Sequence, residues 1–154
     1  MMRLGLISDT HGLLRPEALH ALSGVDHIIH AGDIGQADII PQLRQIAPVS
    51  AIRGNVDIDA WARSLPESMT LTLEGRQIHV VHDIDKLAID PAREEIDLLV
   101  FGHSHRPLVE VMEGLMRINP GSAGPRRFGL PVTLATVNWT PNGPEHPEIR
   151  QLLP

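Results

Sequence analysis

The first half of the chain alternates short aliphatic segments with segments of helical periodicity. The aliphatic segments, each ending in polar residues, are residues 3–8, 26–30 and 49–52. This pattern is typical of buried strands. Residues 14–22 have apolar positions at helical spacing with Pro16 in the first turn, and residues 36–46 continue that spacing around Pro41. We therefore predict two helices between three strands, with a kink or a shifted boundary at Pro41.

The second half favours hairpins. Residues 69–73 alternate apolar and polar side chains, and Glu74-Gly75 separates them from the apolar segment 77–81. Residues 108–112 and 115–118 flank Glu113-Gly114 in the same way. A strand, a tight glycine turn and a second strand predict an antiparallel hairpin at both places.

Four further segments complete the prediction. They are a short helix at residues 85–95, a buried strand at 98–101, and strands at 132–137 and 148–152 around a loop at 141–144. Alternating strands and helices followed by hairpins favour two stacked sheets with helices outside them, in three or four layers. At 154 residues, the chain is expected to form a single domain over residues 1–154.

Composition excludes several classes of protein. The chain has no cysteine, which excludes disulfides and thiolate metal sites, and any metal would be held by nitrogen and oxygen. A formal net charge of −6 offers no broad basic surface for a nucleic acid. No apolar run resembles a signal peptide or a membrane span, so we expect a cytoplasmic protein without membrane binding.

Polar clusters follow five of the apolar segments. They are Asp9-Thr10-His11, Gly32-Asp33, Gly54-Asn55, His82 and Gly102-His103-Ser104-His105. Ligands bind at strand ends in open α/β sheets, so we expect these groups to converge. Singly, the short Gly-Asp and Gly-Asn pairs are more typical of turns, whereas two histidines two positions apart project to one side of an extended segment.

The residue types in these clusters indicate a metal centre. Asp, Asn and His form the nitrogen and oxygen set that manganese, iron, zinc or nickel accepts. Seven side chains exceed the needs of one tetrahedral ion, and one aspartate can bridge two ions about 3.5 to 4 Å apart. Two such ions attract a phosphate and lower the pKa of water, so hydroxide is available to attack phosphorus.

The ordered motifs Asp9-x-His11, Gly32-Asp33, Gly54-Asn55, His82 and Gly102-His103-x-His105 resemble the calcineurin-like metallophosphoesterase family. The segments Ser8-Asp9-Thr10-His11-Gly12 and Asn119-Pro120-Gly121-Ser122 resemble its small single-domain phosphodiesterase branch. The resemblance runs from about residue 3 to residue 139. It implies a four-layer αββα sandwich of two mixed β-sheets flanked by helices.

The resemblance also implies a ligand set for two divalent ions, most often manganese, with iron, zinc or nickel as alternatives. One ion is assigned to Asp9, His11, Asp33 and His105, and the other to Asp33, Asn55, His82 and His103. Asp33 is the expected bridge. The residues expected to act in catalysis are Asp33, Asn55, His82 and His103.

Two positions depart from the family pattern. Many members have a histidine directly after the motif asparagine, where it is thought to protonate the leaving group, but this chain has Val56 followed by Asp57. Easily expelled leaving groups should then be favoured. Asp83 replaces the usual glycine after His82, which either adds a carboxylate near the metals or reshapes a loop.

Other polar residues are interpreted more simply. His20, His27, His30, His79 and His146 are expected at the surface or satisfied in the core, with His30 a candidate to hydrogen-bond a metal ligand. Arg126 and Arg127 are interpreted as a solvated pair, with contact to a substrate phosphate as the alternative. Asp57 orients Asn55 or a water, or is a turn residue.

The sequence predicts a dinuclear metal-dependent phosphodiesterase that acts on a small phosphate ester through a metal-bridging hydroxide. Phosphomonoesterase or nucleotide pyrophosphatase activity at the same site is an alternative. A non-catalytic metal-binding scaffold is another alternative, because one family member serves as a subunit of a membrane-trafficking coat. The resemblance further implies a homodimer or larger homo-oligomer.

Overall fold

The computed structural model describes all residues from Met1 to Pro154. Ten strands form two five-stranded sheets. In chain order the first five are β1 (Met2–Ile7), β2 (His27–His30), β3 (Val49–Ala51), β4 (Ser68–Leu73) and β5 (Arg76–Val81). The others are β6 (Ile96–Val100), β7 (Leu108–Met112), β8 (Leu115–Asn119), β9 (Thr133–Thr140) and β10 (Gly143–Gln151).

Both sheets are mixed. The first sheet has the order β10-β9-β1-β2-β3, in which β1, β2 and β3 are parallel and β9 and β10 are antiparallel to their neighbours. The second sheet has the order β4-β5-β6-β8-β7, in which β5, β6 and β8 are parallel and the outer strands pair antiparallel. The predicted two-sheet α/β sandwich is confirmed.

The main core lies between the two sheets. Leu4, Leu6 and Ile29 of the first sheet belong to the same buried cluster as Val80 and Ile118 of the second. These residues belong to aliphatic segments, and every second side chain of a strand points to the same face of the sheet. The two sheets therefore bury their apolar faces against each other.

Two short helices cover the other face of the first sheet. Helix α1 (Pro16–Ala21) begins at a proline whose missing N–H needs no partner in a first turn. Helix α2 (Ile39–Arg44) contains Pro41 in its first turn, which explains why it is shorter than the predicted segment 36–46. Ala18 and Leu43 pack with Ile28 in a second buried cluster.

The predicted helix at residues 85–95 is wrong. A 3-10 helix, Ile84–Lys86, is followed by turns up to β6. Asp90 and Pro91 favour a turn, since the Asp90 side chain accepts a hydrogen bond from the backbone N–H of Ala92. Ile84 and Leu87 pack on a small cluster at the outer face of the second sheet, so the fourth layer there is thin.

The last strand begins earlier than predicted. The predicted loop at residues 141–144 is a tight turn, and β10 begins at Gly143 instead of Glu148. Its register shifts between Glu145 and Glu148, around Pro147. Because β10 is an edge strand, it tolerates the prolines that a central strand would not.

Candidate metal centre

The predicted ligands lie at the carboxyl ends of five parallel strands drawn from both sheets. Asp9 and His11 follow β1, Asp33 follows β2, and Asn55 follows β3. In the second sheet, His82 follows β5, and His103 and His105 follow β6. Two groups of three side chains result, and the ligand atoms within each group lie within 4.8 Å of one another.

The first group consists of Asp9, His11 and His105. Asp9 Oδ1 lies 3.6 Å from His11 Nε2 and 3.4 Å from His105 Nε2. The two Nε2 atoms are themselves 3.3 Å apart. A carboxylate oxygen and two imidazole nitrogens therefore face a common point.

The second group consists of Asp33, His82 and His103. His82 Nε2 lies 3.1 Å from Asp33 Oδ2 and is buried with it. His103 is exposed, and its ring packs edge-on against that of His82 with the centroids 5.2 Å apart. This group is therefore open to solvent on the His103 side.

The two groups are contiguous. Asp33 Oδ2 of the second group lies 3.7 Å from His11 Nε2 of the first. Asp9 Oδ1 of the first group lies 3.8 Å from His82 Nε2 of the second. The carboxylates thus lie between the two sets of histidines, which is the arrangement that a bridging carboxylate needs.

Asn55 is placed differently from the other six predicted ligands. It is exposed and lines a cavity together with His82 and His103, but its side chain makes no hydrogen bond with any of them. The structure thus brings Asn55 to the edge of the site and not into either group of three.

Hydrogen bonds from neighbouring loops fix the orientation of the ligand side chains. Asp9 Oδ2 accepts hydrogen bonds from the Ser8 hydroxyl, at 2.8 Å, and from the backbone N–H of His103, at 3.1 Å. Asp33 Oδ1 accepts from the backbone N–H of Val56, at 3.0 Å. One oxygen of each carboxylate is occupied in this way, and the other oxygen faces the histidines.

The tautomer of His82 is set by the backbone. His82 Nδ1 lies 2.8 Å from the carbonyl oxygen of Ala31, which can only accept a hydrogen bond. Nδ1 therefore carries a proton, and Nε2 is directed towards Asp33 and Asp9. Nε2 is thus the nitrogen that a metal would bind.

The carboxylates and His82 shift each other's pKa. Burial raises the pKa of Asp9, but the neighbouring His105, His11 and His82 rings outweigh it and hold that pKa well below its usual value. Burial likewise raises the pKa of Asp33, yet His82 and the Val56 N–H lower it overall. Burial lowers the pKa of His82, whereas Asp33 and Asp9 raise it above the ordinary value. The site therefore holds concentrated negative charge that attracts cations.

The residues fit a pair of divalent ions. Asp9 Oδ1 and His82 Nε2 are buried and have no hydrogen-bond partner. Buried polar atoms of this kind are costly unless another group satisfies them. A cation would satisfy both atoms, and the two Nε2 atoms of the first group, which lie 3.3 Å apart, face the same point. The histidine and carboxylate donors suit transition metals.

Two glycines permit this packing. A Cβ at Gly54 would overlap the Asp33 side chain and its backbone nitrogen, and a Cβ at Gly102 would overlap the Ser8 side chain and come 2.6 Å from Asp9 Oδ2. Such contacts are too close for a real Cβ. Glycine at these positions therefore lets the loops of the two sheets approach the carboxylates.

Asp57 and Asp83 have defined positions beside the site. Asp57 is buried and accepts three backbone hydrogen bonds, from Ile34, Gly35 and Gly54, so it ties the loop after β2 to the loop after β3. Asp83 uses one oxygen to cap the following 3-10 helix, and its other oxygen lies 3.9 Å from His103 Nε2. Asp83 thus places a carboxylate beside His103 and shapes the start of the loop after β5.

The remaining predicted groups lie outside the two clusters. His30 is buried, but it bonds to the Thr10 hydroxyl and to the backbone N–H of Gly32, and not to a ligand side chain. Arg126 is exposed and donates to the carbonyl oxygen of Pro154. His20 and His146 are exposed, whereas His79 is buried and paired with Thr70.

Sequence reasoning missed several groups that orient the site. Ser8 bonds Asp9, Ser122 Oγ donates to the Asp9 carbonyl, and Asn119 Nδ2 donates to the Gly102 carbonyl and to Ser104. Ser8, Asn119 and Ser122 stand in the two motifs that carry the family resemblance. That membership was the only sequence signal for them, since their roles depend on contacts across the fold.

A two-sheet α/β sandwich with clustered aspartates and histidines at the carboxyl ends of its parallel strands defines a candidate metal-binding α/β protein. The model of the calcineurin-like phosphoesterase superfamily domain matches residues 2–141. The chain belongs to that superfamily, as its motifs predicted. The family depends on divalent metals and acts on small phosphate esters.

Similar proteins agree with this assignment. A probable metallophosphoesterase of Methanothermobacter thermautotrophicus is 33% identical over 133 residues, covering 79% of this chain and 77% of the relative. Phosphodiesterase YfcE of Escherichia coli is 28% identical over 168 residues, covering 90% and 88%. The crystal structure of Chaetomium thermophilum Vps29 has a TM-score of 0.76 at 18% identity, covering 97% and 95%. The last similarity shows the fold alone.

None of the helices combines the length and the apolar character that crossing a membrane needs.

Proposed function

We propose that this chain is a phosphodiesterase that hydrolyses small phosphate esters with two divalent ions bound at the candidate metal centre. One observation supports this most directly. Asp9 Oδ1 and His82 Nε2 are buried without hydrogen-bond partners, at the point where two groups of aspartate and histidine side chains meet. Cations bound at this point would satisfy the buried atoms and would supply charge that complements a phosphate.

The proposed ligand set is the one expected from the motifs. Asp9, His11, Asp33 and His105 would hold one ion, and Asp33, Asn55, His82 and His103 would hold the other, with Asp33 shared between the two sets. Asn55 has to turn towards His82 and His103 to complete the second set. Manganese is the expected metal, with iron, zinc and nickel as alternatives. When bound, such ions lower the pKa of water, so that hydroxide is available to attack phosphorus, and they offset charge on the phosphoryl oxygens.

The protein's own groups orient the metal ligands and determine which leaving groups can react. The Ala31 carbonyl accepts the hydrogen bond of His82 Nδ1, so that Nε2 faces the site, and Ser8 together with the His103 N–H holds one oxygen of Asp9. Val56 stands where many family members have a histidine, and its side chain cannot donate a proton to a leaving group. We therefore expect esters with acidic leaving groups, such as aryl esters, to react fastest.

The decisive experiment is a phosphodiesterase assay with an activated aryl diester. The purified protein is treated with a chelator, and manganese, nickel, zinc and magnesium are then added back separately while bound metal is measured. We expect activity to disappear and return with about two metals per chain. A protein that binds two metals without cleaving any ester would instead be a metal-binding scaffold, and one that binds none would overturn the proposal.

The same assay separates the alternative activities. Phosphomonoesterase or nucleotide pyrophosphatase action would use the same metals and differ only in substrate, so aryl monoesters and a nucleoside diphosphate ester are run beside the diester. A larger kcat/KM on the diester is the expected result. The single domain, the homo-oligomer and the cytoplasmic location stay predictions of the sequence.

A further inference from the structure

Lys86 is the only lysine in the chain. It is the last residue of the 3-10 helix Ile84–Lys86, which follows the strand that positions His82. The helix is fixed at its start, because the Asp83 carboxylate accepts a hydrogen bond from the Asp85 N–H and the Asp83 carbonyl accepts one from the Lys86 N–H. The backbone of Lys86 therefore has a defined position next to the candidate metal centre, and its side chain is exposed.

Lys86 lines a cavity of about 250 Å³ whose wall includes His82 and His103. Asn55, Arg53 and Ser68 line other parts of it. Pockets that enclose a drug-sized ligand are about 300 Å³ or larger. The cavity is therefore suited to one substituent of an ester whose phosphorus lies at the metals, and not to an entire large substrate.

The charged side chains around this cavity differ in whether they already have a partner. The Arg53 guanidinium donates to the carbonyl oxygens of Arg63 and Leu65 and pairs with Glu67 at 3.3 Å. The carboxylate of Asp83 faces His103 and caps the 3-10 helix. The ammonium group of Lys86 makes no hydrogen bond and no ion pair, so it is the cation on this wall that is available to a ligand.

We propose that this cavity, referred to below as the Lys86 pocket, binds a second anionic group of the substrate, a carboxylate or a phosphate, through the ammonium of Lys86. The proposal rests on the phosphodiesterase function and specifies its substrate class. The preferred ester carries the scissile phosphate at the metals and its second anion on the substituent that enters the Lys86 pocket.

Matched synthetic diesters test whether the protein prefers an ester with a second anionic group. All share the 4-nitrophenyl leaving group, and the other substituent is 2-carboxyethyl, 2-phosphonoethyl or uncharged butyl. The measured quantity is the ratio of kcat/KM for each charged ester to that for the butyl ester. In Lys86→Met this ratio is expected to fall about fivefold, the size of one exposed ion pair. The two charged arms distinguish a carboxylate from a phosphate.

Two variants control the result. Lys86→Arg keeps the positive charge and is expected to retain most of the wild-type ratio. Arg93→Met removes an exposed positive charge that does not line the Lys86 pocket and should leave the ratio unchanged. Equal ratios in the wild type and Lys86→Met would overturn the proposal while the phosphodiesterase function stood. Absence of hydrolysis of all three esters would overturn that function itself.

A binding measurement provides a readout that does not depend on turnover. Because Lys86 is the only lysine, acylation of amines in the metal-loaded protein labels this side chain and the N-terminus, and peptide mass spectrometry separates the two. We expect 2-carboxyethylphosphonate to slow labelling at Lys86 about fivefold more than butylphosphonate does, with no effect at the N-terminus. Equal protection by both phosphonates would contradict binding of a second anion.

Discussion

Five of the seven predicted ligands have a left-handed backbone conformation. Asp9, His11, Asp33, His103 and His105 all have positive φ angles, between 46° and 71°. Each such residue costs about 1 to 3 kcal/mol, and asparagine, aspartate and histidine accept the conformation most readily among residues with a Cβ. Hydrogen bonds between loops stabilise it here, for example from the His11 N–H to the Asp33 carbonyl at 2.9 Å.

At the same scale, substitution of Asp33 should reduce activity more than substitution of any other ligand. Asp33→Asn is expected to lower kcat/KM by about a hundredfold or more, because one of its oxygens faces histidines of both groups and loses its charge. His20→Ala, at an exposed position away from the site, should change activity less than twofold. Metal content and diester hydrolysis are measured for both, and similar losses in the two variants would contradict the assignment.

His30 is neutral in the folded protein. Thr10 donates its hydroxyl hydrogen to the Ile34 carbonyl, so His30 Nε2 donates to Thr10, and His30 Nδ1 accepts from the Gly32 N–H. A second proton on the ring would face that N–H. Burial lowers the pKa of His30 from 6.5 to about 4.

This pKa predicts a pH dependence of stability. Because the folded-state pKa of about 4 is below the unfolded value of 6.5, the unfolded chain is protonated first as the pH falls. The free energy of unfolding should decrease by about 3 kcal/mol between these two values and no further below them. Urea unfolding of the metal-free protein at about pH 7.5 and about pH 4.5 should show most of this decrease in the wild type and not in His30→Asn. Identical decreases in both proteins would exclude His30 as the cause.

At the scale of elements, the site depends on how two loops are joined. Asp57 accepts hydrogen bonds from backbone N–H groups of the loop after β2 and of the loop after β3. These two loops present Asp33 and Asn55. Both ligands lie in the loops that follow the strands, and neither lies in β2 or β3. The positions of these ligands therefore depend on one buried carboxylate that is not itself a predicted ligand.

Asp57→Asn should reveal this dependence. An amide NH₂ facing backbone donors removes at least one of the three hydrogen bonds, and we expect about a tenfold loss of metal affinity. Asp59→Asn, which changes an exposed carboxylate two residues later without a capping hydrogen bond, is the matched control. Metal titration of both variants is the measurement. Unchanged affinity in Asp57→Asn would mean that the loops hold their positions without it.

At the scale of the whole molecule, the two sheets must stay in register for their ligands to meet. Trp139 of the first sheet is fully buried in the core between the sheets, and its indole N–H donates to the carbonyl of Leu73 in the second sheet at 2.8 Å. This hydrogen bond connects β9 to the end of β4. It contributes to the alignment on which both metal groups depend.

Trp139→Phe should therefore destabilise the fold. Phenylalanine cannot donate the hydrogen bond to the Leu73 carbonyl, and its smaller ring leaves a small void. Together these changes should lower the free energy of unfolding by about 2 to 3 kcal/mol. Trp61→Phe is the control, because Trp61 is only partly buried and its indole makes no hydrogen bond. Urea denaturation followed by circular dichroism measures both, and an equal loss of stability would contradict a special role for Trp139.

The hydrophobic pattern predicted most of the elements because strands that are buried on one or both faces have a strong local signal. The two hairpins, the three parallel strands of the first sheet and the strand before His103 all form. The predicted helix at residues 85–95 failed because Asp90 and Pro91 favour a local turn over helical periodicity. Pro41 shortened α2 for a similarly local reason.

The sequence by itself determined the family and the chemical types of the seven candidate ligands, because ordered motifs and the absence of cysteine depend only on residue identity. The family resemblance also implied which ligands group together. Only the tertiary structure decided that Asn55 lies at the edge, and that Ser8, Asp57 and Asn119 orient the others. It also placed the single lysine beside His82 and His103. These facts depend on contacts between residues up to 113 positions apart, such as that of Ser122 with Asp9, and no local pattern along the chain encodes such distances.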